Sequence, residues 1–399
     1  MNTKKILLVI TLIFTAAKAQ LRDTEFRYDF GQYSEPYYKT YGQEYKDALG
    51  IYPGKNREPF ALPEEIFLQA KENNKNLNDS LLFNRDFLKN NIQKVHKTLV
   101  SHYSGQEIII TTQDDIEIHC LYFDRNSDNL IIVGAGFTNA KELMAPFVDM
   151  FPNYDIVLFD YRGHGINQKD NSVWYNPLTK IKKIINKSFG VDTDITRMAS
   201  MEDLDVTAVV EYFKYNNNKK YTCVTGLGIC YSALIFLQAQ ALHTKKLFDK
   251  IILDGCWLSL KKFVTKLSQD CKLLKSPQFG GWKNSWPNNT KLFQKGFRAL
   301  APIVLNIDYE NSNLNNLLEF ITDTPILYFY GKNDLTIDRQ DFETIFNGLS
   351  ASENNNAVTA VTTSIPHIRH HLWIKEFYKF ACDNFIKLNY ESFIKTLTI

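Results

Sequence analysis

Glycine and proline are scarce in this sequence, and neither sign of charge is in clear excess. Its 399 residues include 18 glycines and 12 prolines, too few for a collagen-like or low-complexity chain. The 46 Lys and Arg are nearly matched by 44 Asp and Glu, so no basic excess indicates a nucleic-acid partner, and we expect none. Hydrophobic residues make up 44% of the chain, enough to bury a sizeable core. The composition therefore predicts a globular enzyme or binding domain.

Cysteines and long apolar runs are also few. Six cysteines in 399 residues do not make a disulfide scaffold. No stretch reaches the roughly 18 apolar residues of a transmembrane helix, so we expect no stable membrane insertion. At the N-terminus, Lys4 and Lys5 precede a mostly apolar run over 6–17, and residues 17–19 (AKA) offer a small-residue cleavage site. This arrangement predicts a signal peptide over 1–19, and hence export to a periplasm or to the medium.

Two kinds of pattern follow the predicted signal peptide. Residues 20–105 form an N-terminal extension: 20–60 is rich in tyrosine and has little periodicity, and 63–100 has the apolar spacing of two helices. From residue 106 to 399, short apolar runs alternate with helical patterns. Such alternation predicts an α/β fold, with a mostly parallel, doubly wound sheet and helices on both faces.

The predicted strands and helices can be placed from their periodicity. The first two strands are expected to form a β-hairpin, and the later strands are short apolar runs typical of a buried parallel sheet. Two stretches, 167–200 and 258–320, interrupt the alternation and are expected as an insertion and a cap over the carboxyl ends of the strands. The predicted strands are 107–113, 116–123, 130–133, 156–159, 221–225, 251–253 and 326–330, and the clearest helices are 201–215 and 372–388.

Candidate functional residues follow these strands in an informative order. Residues 134–138 (GAGFT) and 160–165 (DYRGHG) each come after a short apolar strand, and 228–232 (GICYS) follow the next one. Residues 331–334 (GKND) come later, and the cluster 367–371 (HIRHH) precedes the last helix. A nucleophile, an acid and a histidine in this order are the chain order of the α/β-hydrolase triad.

On these runs, residues 106–390 resemble the α/β-hydrolase superfamily, in particular its serine-aminopeptidase and monoglyceride-lipase-like branch. The most specific pieces are the DYRGHG run at 160–165 and the GxxD run at 331–334. The resemblance implies an α/β-hydrolase fold, a small-molecule acyl substrate, and neither a metal nor an organic cofactor. Arg162 and His164 within the first run are expected to be structural.

The expected nucleophile turn departs from the family pattern, because the chain has no Gly-x-Ser-x-Gly run. One register of the turn places Cys230 at the nucleophile position. The other places Gly228 there and would leave the protein without a nucleophile. We favour Cys230, since Gly228 before it and Ser232 after it are small enough for a strand and a helix that cross closely. Such a turn is similar to those of dienelactone hydrolases and bacterial polyester synthases.

A cysteine suits this position chemically, because a helix N-terminus and a neighbouring imidazole both stabilise the nucleophilic thiolate. A buried structural thiol is the alternative interpretation of Cys230. Ser232 is a poor substitute nucleophile, because its hydroxyl, two residues into the helix, would face the wrong way.

The remaining site residues follow from the resemblance. Asp334 is the expected acid, and Asp338 is close enough in the sequence to be a fallback. Among the histidines we slightly favour His371, with His367 almost equal and His370 third. The cluster lacks a carboxylate or cysteine at usable spacing, so we expect no metal site.

Two backbone N–H groups should form the oxyanion hole. One belongs to Tyr231, the residue after the nucleophile. The other belongs to Phe137, because residues 135–138 match the His-Gly-x-x run of the family. Ala135 replaces the histidine that positions this loop in the family.

The sequence thus predicts an exported α/β hydrolase that cleaves an ester, thioester or peptide bond through Cys230. Two other functions stay open. One is a catalytically inactive α/β-hydrolase fold that serves as a binding protein. The other is an acyltransferase that uses the same site.

Overall fold

The computed structural model describes the hydrolase-like part of the chain and little of what precedes it. The predicted signal peptide, most of the extension over 20–105, and the larger parts of the predicted insertion and cap lie outside the described residues. Strand β1 (Gly50–Tyr52) falls in a segment for which we expected no regular structure. The described residues are 50–52, 85–137, 139–165, 199–216, 219–269, 309–332, 334, 336–351, 357–363, 365, 367 and 370–397.

These residues form a nine-stranded sheet in the order β1-β9-β8-β7-β6-β4-β5-β3-β2. The strands from β5 to β9 and β4 pair in parallel, whereas β1, β2 and β3 pair antiparallel with their neighbours. The predicted hairpin and the predicted parallel, doubly wound sheet are therefore confirmed. After β1, the strands are β2 (Gln106–Thr111), β3 (Glu117–Phe123), β4 (Asn129–Gly134), β5 (Asp155–Phe159), β6 (Cys223–Ile229), β7 (Lys250–Asp254), β8 (Ile326–Gly331) and β9 (Val358–Thr363).

Helices connect the parallel strands. The predicted helix over 201–215 is shorter than expected and continues as a π-helical turn (Tyr212–Asn216). The predicted helix over 372–388 is split into two, and α6, α9 and β9 were not predicted. The helices are α1 (Arg85–Ser101), α2 (Ala145–Met150), α3 (Asp203–Glu211), α4 (Tyr231–Leu242), α5 (Leu260–Gln269), α6 (Arg339–Ala351), α7 (His370–Trp373), α8 (Lys375–Lys387) and α9 (Tyr390–Leu397).

The central strands are buried on both faces, which explains their continuous apolar sequences. Every residue of β5, β6, β8 and β9 is buried. Within the described residues, no helix combines the length and the apolar character needed to cross a membrane.

The sheet reverses its winding between β4 and β6. These two strands are parallel neighbours, and Gly134 at the end of β4 lies beside Gly228 near the end of β6. The chain leaves β4 towards β5 on one side and leaves β6 towards β7 on the other. Such a switch point opens a crevice at the carboxyl ends of the strands, where open α/β sheets bind ligands.

The DYRGHG run forms buried polar contacts after β5. The Asp160 carboxylate accepts hydrogen bonds from the backbone N–H and the Nζ of Lys141, both at 2.7 Å. The Arg162 guanidinium bridges Asp114 and Asp205, each at 2.7 Å. These bonds join the hairpin, the loop after β5 and helix α3, as a structural role for Arg162 requires.

Candidate active site

Cys230 occupies the turn between β6 and α4. Its backbone has φ of 58° and ψ of −110°, a conformation that costs a non-glycine residue about 1–3 kcal/mol. Its side chain is 6% exposed. In a sharp strand–helix turn of this kind, the side chain is held at the carboxyl edge of the sheet, at the start of the helix.

Glycine at position 228 is required by the close approach of α4 to β6. A Cβ built on Gly228 would lie 2.8 Å from both the Cα and the backbone nitrogen of Ala233, distances that backbone atoms do not tolerate. The structure therefore places Cys230, and not Gly228, at the turn, and Gly228 lies where the helix crosses the strand.

Ser232 packs under the loop that follows β4. A Cβ on Gly134 would lie 2.6 Å from both Cβ and Oγ of Ser232. The Ser232 hydroxyl donates a hydrogen bond to the carbonyl oxygen of Ala135, and its side chain is fully buried. This hydroxyl is thus directed at the loop after β4 and away from the nucleophile position.

Asp334 lies three residues after β8 and is firmly held. Its Oδ1 accepts hydrogen bonds from the backbone N–H of Thr336 at 2.7 Å, from the Thr336 hydroxyl at 2.6 Å, and from the Ile337 N–H at 3.1 Å. Its Oδ2 is left for a different partner. The turn therefore orients the Asp334 carboxylate through bonds that do not involve a histidine.

That partner is His367. The imidazole Nδ1 lies 2.5 Å from Oδ2 of Asp334, and the His367 side chain is only 5% exposed. Burial opposes the charged imidazolium, but the negative charges of Asp334 and Cys230 outweigh it and raise the pKa of His367 to about 10. The structure thus brings together Cys230, Asp334 and His367.

The second ring nitrogen of His367, Nε2, is not bonded to Asp334. Nε2 is buried and has no partner within strict hydrogen-bond geometry among the described residues, but Cys230 acts on the ring both by charge and by a side-chain hydrogen bond, so the thiol is near. Catalytic hydrogen bonds are often long in proteins without substrate. Asp334 on Nδ1 leaves Nε2 as the nitrogen that can exchange a proton with Cys230.

His370 and His371 are directed at a different carboxylate. His370 Nδ1 lies 2.7 Å from Oδ1 of Asp254, and His371 Nδ1 lies 3.9 Å from its Oδ2. Burial favours the protonated form of Asp254, but the two histidines outweigh it and hold its pKa well below the usual range. The structure therefore pairs Asp334 with His367, and not with His371, which the sequence slightly favoured.

The expected oxyanion hole lies at the same edge. The Cys230 N–H donates to the carbonyl of Asp254 at 2.8 Å, so it is not a donor to substrate. The next amide, that of Tyr231, is at the first residue of α4. A Cβ on Gly136 would lie 3.6 Å from Cβ of Cys230, so the loop carrying Phe137 passes directly beside the thiol. The two predicted donors thus belong to segments that meet at Cys230.

The rings of Phe137 and Tyr231, the two predicted oxyanion-hole residues, belong to one aromatic cluster. The Phe137 ring lies 5.6 Å from the Tyr231 ring and 6.3 Å from the Trp257 ring, and Trp257 stacks on Phe263 at 3.9 Å. The Trp257 Nε1 is buried and has no hydrogen-bond acceptor among the described residues. Among the described residues, this cluster offers an apolar surface that joins the segments of Phe137 and Tyr231.

Sequence reasoning missed two residues that bond the site, Thr336 at the Asp334 carboxylate and Asp254 at the Cys230 N–H. Thr336 follows Asp334 in the pattern of a turn in which the aspartate accepts backbone N–H groups, and this spacing could have identified it. Among the described residues, no group of three or more His, Cys, Asp or Glu side chains is arranged to hold a metal ion.

The order of the sheet, its switch point and the sharp turn at Cys230 define an α/β-hydrolase fold. No protein-family model matches the sequence, and no curated protein matches it. The fold is similar to that of the Pyrococcus furiosus esterase Pf2001. One crystal form of that esterase aligns with a TM-score of 0.52 and 20% identity over 72% of this chain and 91% of the esterase. A second form gives 0.51 and 20% over 72% and 90%.

Proposed function

We propose that this protein is a hydrolase that cleaves acyl bonds, carboxylic esters foremost, with Cys230 as nucleophile. The observation that carries the proposal is the convergence of Cys230, in its strained turn, with the Asp334–His367 pair. A strained backbone at a cleft is a common mark of a functional residue, and a buried acid–histidine pair beside a thiol is the arrangement that activates it. The similarity of the fold to an esterase agrees with this chemistry.

In the proposed mechanism, Cys230 and His367 react as a thiolate–imidazolium pair. The sulfur attacks the carbonyl carbon, and the electron pair of the C=O bond moves to oxygen. The N–H groups of Tyr231 and Phe137 bind that oxyanion. The tetrahedral intermediate collapses to a thioester, and the alcohol leaves with the proton from Nε2 of His367.

Water then completes the cycle. His367, now neutral, takes a proton from water at Nε2 as the hydroxide attacks the thioester carbon. The second intermediate collapses to the carboxylic acid and the Cys230 thiolate, and His367 keeps the proton. Asp334 holds the imidazole in the required orientation through Nδ1 throughout.

The aromatic cluster of Phe137, Tyr231 and Trp257 favours acyl groups without charge. These side chains carry no cation for a carboxylate-bearing acyl group, and the His367 imidazolium is already paired with Asp334 and Cys230. An inactive binding protein is less well supported, because such a function needs neither the strained backbone of Cys230 nor a buried histidine held between a carboxylate and a thiol.

Capture of the thioester tests the proposal. The protein would be mixed with a series of p-nitrophenyl esters of increasing chain length, quenched in acid within milliseconds to seconds, and analysed by intact mass and peptide mapping. We expect a burst of nitrophenol and an acyl group on Cys230. The Cys230→Ala variant should give neither, whereas Cys256→Ala, a matched change at another buried thiol, should keep both. Turnover that persists in Cys230→Ala would refute the proposal.

The N-terminal pattern supports the further proposal that the protein is exported. Cleavage after Ala19 would leave Gln20 as the first residue. N-terminal sequencing of the protein recovered from its native source tests this, and an N-terminus at Met1 would contradict it.

A further inference from the structure

A second buried acid–histidine pair lies next to the first. Asp254, the last residue of β7, accepts a hydrogen bond at Oδ1 from Nδ1 of His370 at 2.7 Å. Nε2 of His370 lies 2.9 Å from Oγ1 of Thr363, the last residue of β9. All three side chains are fully buried, and the mechanism proposed above uses none of them.

The backbone of Asp254 links this network to the nucleophile. Its carbonyl oxygen accepts the N–H of Cys230 at 2.8 Å. Asp254 therefore restrains the nucleophile turn through its main chain and His370 through its side chain.

The same network spans the segment that carries His367. Thr363 precedes that segment and His370 follows it, so their hydrogen bond joins its two ends. The Thr363 Oγ1 also accepts the Ile365 N–H at 3.1 Å. Thr363 thus bonds both the backbone that leads to His367 and the imidazole that follows it.

We infer that Asp254, His370 and Thr363 form a positioning network that holds His367 in register with Cys230. This inference rests on the proposed function, because it concerns the thiol–imidazole pair of that site. His367 then has two restraints: Asp334 orients its ring, and the network fixes the chain on which it is carried. None of the three residues touches the reacting atoms, so their effect passes through His367 and the nucleophile turn.

Alkylation of Cys230 at two pH values tests the network. The full-length protein would react with iodoacetamide near pH 6 and near pH 9.5, and labelled sites would be quantified by mass spectrometry. At the lower pH, thiolate forms only beside a correctly placed imidazolium, whereas at the higher pH an accessible thiol ionises unaided. A merely structural network would not alter the ratio of the two rates.

The variants are Asp254→Asn and Thr363→Val, both of nearly unchanged shape. The matched control is Asp155→Asn, which removes a buried carboxylate that bonds Tyr122 and Lys219 at the amino end of β5. We expect both test variants to lower the rate near pH 6 by about tenfold or more, and to change it less than about twofold near pH 9.5. The control should keep both rates.

The alkylation rates separate failure of the network from failure of the proposed function. Wild-type rates at both pH values in the folded test variants would overturn the inference and leave the proposed function intact. If Asp254→Asn does not fold, Thr363→Val decides alone, because it retains the Asp254–His370 pair. If wild-type Cys230 is not labelled near pH 6, the proposed function fails and the inference fails with it.

Discussion

Replacing Asp334 by asparagine isolates the charge on which the candidate site depends. In the wild type, burial opposes the His367 imidazolium, yet Asp334 and Cys230 raise the pKa from 6.5 to about 10. That difference corresponds to about 5 kcal/mol of preference for the charged ring. Asparagine keeps an oxygen for the N–H groups of Thr336 and Ile337 but carries no charge. Burial is then opposed by Cys230 alone, so we expect the pKa of His367 to fall well below 10.

Nuclear magnetic resonance of protein with ¹³C-labelled histidine rings measures this directly. The chain has 8 histidines, and the signal of His367 can be assigned with a His367→Gln variant. In the wild type we expect His367 to stay charged through neutral pH and to titrate near 10. In Asp334→Asn it should lose its charge at a lower pH than in the wild type. Cys230 contributes less than Asp334 to the raised pKa, so the pKa of His367 in Cys230→Ala should lie between those of the other two proteins. A wild-type titration near 6.5, or equal values in all three proteins, would refute the reasoning.

The raised pKa of His367 also makes the free energy of unfolding depend on pH. A histidine whose pKa is raised by folding stabilises the native state fully below its unfolded value of about 6.5, and this contribution disappears as the pH rises to about 10. Because the unfolded Cys230 thiol releases its own proton at about pH 8.5, we expect the free energy of unfolding, measured with urea, to fall more steeply in the wild type than in Asp334→Asn between about pH 8.5 and 10. Parallel pH curves for the two proteins would contradict the assigned charge state.

Three further substitutions test the nucleophile turn. Gly228→Ala should destabilise the protein by about 1–3 kcal/mol in thermal unfolding, because its Cβ would lie 2.8 Å from backbone atoms of Ala233; a neutral effect would contradict the crossing geometry. Cys230→Gly should be more stable than Cys230→Ala by about 1 kcal/mol, because the backbone has a φ of 58° there; the reverse order would mean that the turn is relaxed. Ser232→Ala, which frees the Ala135 carbonyl, should lower kcat for ester hydrolysis roughly tenfold. It should leave alkylation of Cys230 unchanged, because alkylation needs no oxyanion hole; loss of both would instead indicate a misplaced thiol.

The fold could be predicted from the sequence where burial leaves a simple pattern. Strands covered on both faces, such as β4 and β5, read as continuous apolar runs. Strand β9 is equally buried, but three of its six residues are threonines, so it has no such run. One of them, Thr359, is satisfied by Tyr390 at 2.9 Å, a contact visible only in three dimensions. The β-branched character of Val358–Thr363 was the signal available.

The missed strand explains why the histidine was ambiguous. In the sheet, Gly331 at the end of β8 pairs with Thr363 at the end of β9. Asp334 follows the first by three residues and His367 follows the second by four, so their turns leave the sheet side by side. His370 and His371 are about one helical turn further along, and α7 carries them back towards β7. Without β9 and its pairing with β8, the sequence gives no reference point from which to place the three histidines relative to Asp334.

The departures from the family pattern at the nucleophile turn compensate one another. The resembling family has a glycine two residues after the nucleophile and a histidine that positions the loop of the oxyanion hole; this chain has Ser232 and Ala135 instead. The Ser232 hydroxyl bonds the Ala135 carbonyl, so the serine holds the loop that the absent histidine would otherwise hold. Gly134 leaves room for that side chain, since a Cβ there would overlap it. A serine in this position therefore positions the loop, and the nucleophilic role remains with Cys230, the residue whose backbone is strained.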